Sequence, residues 1–206
     1  GEFFEASAIL EDRNGTVWVA HHGLWELHAD PEKDVNHIHR PDDSTSLSNN
    51  NNVWSIYEDP DTNGHYLWVG TSQGLNKFDT RTGKSQRHME QEGFPNAHVY
   101  GILPDDFGRL WLSTNHGITC FDDRKPEGKK FKNYDASYGL PGNEFNRGSF
   151  CKLRSGEMMF GGPNGVVRFD PRQFRDNPYV PPVVLTAFTK MGKKVAFDRD
   201  IADVSS

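Results

Sequence analysis

Two cysteines in 206 residues are too few for a disulfide framework, and no apolar run approaches the roughly 20 residues a membrane helix needs. Basic residues are not in excess either. Lys and Arg number 23 against 29 Asp and Glu, a net charge of −6 with both signs interspersed. That balance argues against nucleic acid, whose phosphates select a concentrated basic face. Nucleophile signatures are missing as well. There is no Gly-x-Ser-x-Gly elbow, and Cys120 has no His or Asn at a recognisable spacing. "GGPNG" at 161–165 lacks the Lys and the helix of a phosphate loop, and reads as a hairpin turn. No signal peptide is visible, and Gly1, Glu2 and Phe3 read as a cloning scar, so the start says nothing of compartment.

What is present is repetition. "ILEDRNGTVWVAHHGLWEL" at Ile9, "IYEDPDTNGHYLWVGTSQGLNKFD" at Ile56 and "ILPDDFGRLWLSTNHGITCFD" at Ile102 are one pattern. "FCKLRSGEMMFGGPNGVVRFD" at Phe150 is a weaker fourth copy. Trp18, Trp68, Trp111 and Met159 share one position at spacings of 50, 43 and 48, an interval typical of propeller blades. Before each Trp lies a turn closed by glycine, as at Gly15 and Gly108, which supplies positive φ after a turn-forming Asp. "TVWVA", "YLWVG", "RLWLS" and "EMMFG" are apolar at adjacent positions, as strands covered on both faces are. Ahead of each turn an inner strand carries Ala8, Ser55, Gly101 and Ser149 at one position, small enough for backbones crowded near an axis. Third and outer strands follow ("GLNKF", "SQRHM"). The predicted fold is all-β, with about four propeller blades of four antiparallel strands each. Trp18, Trp68 and Trp111 are expected to be structural wedges.

On these motifs the chain resembles the two-component regulator propeller repeat of bacterial sensor proteins. "LWVGTSQGLNKFD" at 67–79 follows that pattern nearly position by position, and "GFPNAHV" at 93–99 and "GLPGNEFNRG" at 139–148 match its loop. "PPVVLTAFTKMGKKV" at 181–195 is similar to the opening strands of the Ig-like domain that follows such propellers. The departures are an insertion in the second turn, one residue fewer before Gly23, and Met159 and Leu153 in place of the fourth Trp and turn Asp. The resemblance implies blades over 4–178, part of a seven-bladed ring, and the start of an Ig-like domain over 179–206. It further implies a periplasmic, non-catalytic, ligand-sensing part of a membrane-bound receptor. The membrane helix and a kinase or diguanylate cyclase output domain would lie in segments missing from this chain.

The loops preceding the inner strands should all emerge on one rim. Asn52, His98 and Asn146 align there, with Trp54 and Tyr100 two residues further on and Arg147 beside them. Polar groups next to aromatic rings are the usual mix of a small-molecule pocket, so a polar ligand such as an oligosaccharide is one expectation. Loop capping and packing would explain the same residues. His37 and His39 would share a strand face, but no third zinc ligand has a defined spacing. "PDDSTSLSNNNN" at 41–52 lacks the alternating ligands, central Gly and terminal Glu of a calcium loop. No metal or cofactor is expected. Two alternatives to a sensor are a propeller enzyme of lyase or lactonase type and a protein–protein scaffold. Four blades of a larger ring would leave end faces uncovered around Val17 and Trp18, which predicts a homo-oligomer.

Overall fold

Each Asp-x-x-Gly turn folds its flanking strands into a hairpin, and the hairpins add up to sheets that recur along the chain. The computed structural model describes residues 5–48, 52–62, 64–89, 94, 98–174, 188–190 and 193–195. The first blade contains β1 (Ala8–Glu11), β2 (Val17–Ala20), β3 (Leu24–Leu27) and β4 (Val35–His37). The second contains β5 (Val53–Glu58), β6 (Tyr66–Thr71), β7 (Gly74–Asp79) and β8 (Lys84–His88). The third contains β9 (Gly101–Pro104), β10 (Leu110–Thr114), β11 (Gly117–Phe121) and β12 (Phe131–Tyr134). The fourth shows three strands among the described residues, β13 (Phe150–Lys152), β14 (Met158–Gly162) and β15 (Gly165–Phe169). Within every blade the strands pair antiparallel in sequence order.

The chain divides after Gln173, five residues before the boundary expected from sequence. In the second unit, β16 (Phe188–Lys190) and β17 (Lys193–Val195) pair as a hairpin. The remainder of the segment read as Ig-like, and residues 1–3, read from sequence as a cloning scar, lie outside the described residues.

The alternation of side chains along a strand explains how blades stack. In β2, β6 and β10 the Trp points to the next blade, and in β6 and β10 the residues on either side of it point to the previous one. Trp18, Ala20 and Leu24 meet Leu67, Val69 and Phe78 in one core cluster, and Trp68 and Leu75 meet Leu110, Leu112 and Phe121 in the next. Each indole lies against a Phe one blade further on. The ring centroids are 5.6 Å apart for Trp18–Phe78, 5.2 Å for Trp68–Phe121 and 4.8 Å for Trp111–Phe169. Such tilted or edge-on pairs contribute about 0.5–1.5 kcal/mol beyond burial. The three tryptophans are 1%, 4% and 1% exposed, so they occupy equivalent buried wedges as the repeat predicts.

The inner strands β1, β5, β9 and β13 touch in that order. Among the described residues no contact of similar extent joins β13 to β1, and the four blades form an arc. The faces at its ends are open, with Ile9 and Val166 largely exposed. One expectation is corrected here. Trp18 is not on the open face, because strand alternation turns it onto the second blade; the open face carries Val17, Val19, Trp25 and Leu27.

Candidate ligand site at the loop rim

A bulge shapes the start of the second inner strand. Val53 pairs with Thr71 and Ser55 with Gly70, leaving Trp54 as the extra residue. Tyr100 occupies the same place in the third blade, donating its N–H to the Ser113 carbonyl (2.8 Å) although Gly101 already stands opposite Ser113. Bulges re-aim side chains, and these two rings are turned onto each other with centroids 4.8 Å apart. His98 stacks on Trp54 (5.4 Å) and lies 6.1 Å from Tyr100. The Arg147 guanidinium, delivered by the next loop, sits 5.2 Å over the Trp54 ring. Four of the six residues proposed from sequence therefore form one aromatic and cationic cluster.

The loop that carries Arg147 is held from both sides. Phe145 N–H donates to the Thr114 carbonyl (3.2 Å), Gly117 N–H to the Asn143 carbonyl (2.7 Å), and Asn146 N–H to the Gly161 carbonyl (2.8 Å). A side chain at Gly162 would strike the Glu144 carbonyl, so the loop lies directly on the β14–β15 hairpin. Between this loop and the β10–β11 hairpin opens a cavity of about 320 Å³, lined by Tyr100, Asn115, Glu144, Phe145, Asn146 and Arg147. Burial raises the Tyr100 phenol above its usual pKa; Arg147 opposes that rise and Glu144 adds to it.

The alignment of Asn146 with Asn52 and His98 is corrected by these bonds. Asn146 takes the backbone place of Tyr100, and Glu144 that of His98. The cause is a turn in which Ser149 N–H reaches the Asn146 carbonyl (3.4 Å), adding Arg147 and Gly148 before the inner strand. Asn52 does not join the cluster. It is exposed, and its carbonyl accepts from Ser72 N–H (3.1 Å). Glu144 and Asn115 escaped the sequence reading: Glu144 was hidden by the two-residue offset, and Asn115 comes from a hairpin of the preceding blade.

Other titratable groups have structural tasks. His37 and His39 part company, His37 Nε2 lying 3.3 Å from Glu26 and His39 Nδ1 2.7 Å from the Leu47 carbonyl. Among the described residues no group of three metal-ligating side chains converges. Cys120 is buried, which pushes its thiol pKa up to about 12, and Cys151 is exposed; neither is bridged. A cavity of about 370 Å³ between the second and third blades holds charges that are already paired, Lys77 with Asp123 (2.8 Å) and Arg109 with Asp105 (2.6 Å).

Four repeated sheets with Trp–Phe wedges define a β-propeller architecture. Residues 46–73 and 93–116 match the two component regulator propeller family. Over 114 residues it is 34% identical to Histidine kinase P4 of Formosa agariphila, covering 55% of this chain and 8% of the kinase. The extracellular domain of a hybrid two component system from B. thetaiotaomicron superposes with a TM-score of 0.59 at 26% identity, over 96% of this chain and 33% of that one. A second such domain from the same organism gives 0.61 at 19% identity, over 79% and 21%. Virginiamycin B lyase from Staphylococcus aureus shares the fold alone, at 16% identity and a TM-score of 0.52, over 80% of this chain and 55% of the lyase. The chain spans less than a tenth of the kinase and a third of the first of the two extracellular domains.

Proposed function

We propose that this chain is the ligand-sensing, non-catalytic part of an extracytoplasmic receptor region, periplasmic and anchored through segments beyond this sequence. Its relatives are a histidine kinase and extracellular domains of hybrid two component systems, which supports a place in signal transduction. The rim cluster is the sensing site. One observation carries this reading: Trp54, His98, Tyr100 and Arg147 gather from two blades and a loop beside an open cavity lined by polar groups. Packing alone does not need a guanidinium there, whereas a small polar ligand does. A thermal-shift screen of oligosaccharides and free amino acids tests it. A ligand that raises the melting temperature of the chain, and loses that effect in Tyr100→Ala and Arg147→Gln, is the expected result. Stabilisation indifferent to both substitutions would place sensing elsewhere.

A further inference from the structure

The cavity at the rim carries one charge of each sign. Arg147 and Glu144 both line it, and among the described residues neither has an ion-pair partner, although they are three residues apart in one loop. Elsewhere in the molecule facing charges find each other: Arg168 forks onto Glu157 at 2.9 and 2.7 Å, and Lys152 reaches Asp106 at 2.6 Å. Here the loop prevents it. Its backbone bonds to Thr114, Gly117 and Gly161 fix both residues, and the Arg147 guanidinium is held over Trp54. Tyr100 lines the same cavity as both charges. Asn115 lines the same cavity from the third blade.

We infer that this cavity takes a zwitterion, a free amino acid or its close analogue. Its carboxylate would lie on the planar donors of Arg147, and its ammonium on the Glu144 carboxylate. A guanidinium presents a planar fork of donors that matches a carboxylate. A neutral saccharide would leave both charges unmatched, and a simple anion would meet Glu144 as a like charge. A volume of about 320 Å³ suits a molecule of this size.

The inference rests on the rim being the sensing site, and the test separates the two. The chain is titrated by calorimetry with the free L-amino acids, with N-acetylated forms that keep only the carboxylate, with amides that keep only the ammonium, and with maltotriose. At least one amino acid should bind, and its N-acetyl and amide forms should bind at least tenfold more weakly. Arg147→Gln should weaken the amino acid tenfold and leave the amide form unaffected. Glu144→Gln should weaken it equally and leave the N-acetyl form unaffected. Unchanged melting temperatures exclude misfolding. Maltotriose binding that ignores Glu144→Gln would overturn the zwitterion and keep the rim as a ligand site. No binding by any probe would overturn both.

Discussion

The Trp111 indole N–H donates to Asp105 Oδ2 at 3.0 Å, while Asp105 Oδ1 accepts the N–H groups of Phe107 and Arg109, both at 2.9 Å. One buried carboxylate thus closes the turn and satisfies the wedge. Asp12 does the same for Trp18 at 2.9 Å, and Asp59 accepts the Trp68 indole N–H at 3.2 Å despite the inserted turn. In the fourth blade both partners are gone together, replaced by Leu153 and Met159. This is chemically consistent, since a buried indole N–H without an acceptor, or a carboxylate without donors, would cost more than an apolar pair.

That coupling predicts a non-additive pair. Trp111→Ala should cost on the order of 3–5 kcal/mol, as aromatic truncations in cores do. Asp105→Leu should cost at least about 2 kcal/mol by leaving buried N–H groups unmet. Trp111→Met combined with Asp105→Leu copies the fourth blade and should cost less than its two parts by roughly 1 kcal/mol. Urea unfolding of the native chain, Trp111→Met, Asp105→Leu and the double variant measures the cycle, and strict additivity would refute the coupling.

Acid should find His88 first. It is 1% exposed among Trp68, Phe121 and Phe131, and burial lowers its pKa to about 4. An unfolded His titrates near 6.5. The unfolded chain therefore takes up the proton first, so stability is level above about pH 6.5 and falls between there and about pH 4. The loss approaches about 3 kcal/mol. The depressed carboxylates, such as Asp123, lose their contribution only at still lower pH; burial alone would raise Asp123, but Lys77 and Lys130 outweigh it. Urea midpoints at pH 7 and pH 4.5 should differ in the native chain, and much less in His88→Phe.

Crowding of the inner strands has a sharp test. A Cβ at Gly101 would enter the Phe150 ring of the next blade. Gly101→Ala should then destabilise by about 1–3 kcal/mol, the usual range for overpacking. At the equivalent position Ser55 Oγ is buried without a hydrogen-bond partner. Ser55→Ala should be neutral or slightly stabilising, because it removes an unmet polar group. Melting temperatures that move in the opposite order would contradict the inner-strand placement.

The open face of the first blade predicts self-association. Val19, Trp25 and Leu27 border a cavity of about 490 Å³, and Ile9 is 69% exposed beside their strands. In the next two blades the residues equivalent to Val17 and Val19 are buried beneath the Trp of the preceding blade. A second copy should cover this face at micromolar concentration, and sedimentation should show a species larger than one chain. Val19→Glu should return it to a monomer with little loss of stability. A native chain that sediments as a monomer would mean the face is tolerated in water.

What the sequence determined by itself is the repeating unit. The turn Asp, the glycines with positive φ at Gly15 and Gly108, the paired apolar positions and the small inner residues are all local requirements. A local requirement leaves its mark in neighbouring letters. Tertiary structure decided what no neighbouring letters record. It chose the Phe one blade away that each indole meets, and it turned Trp18 inward, leaving Val19 and Trp25 on the open side. At the rim it brought Trp54, His98, Tyr100 and Arg147 together, and it placed Glu144 and Asn115 beside them. The reason is physical: loop register there is set by backbone bonds to other blades, such as Asn146 to Gly161 and Phe145 to Thr114, and not by local propensity.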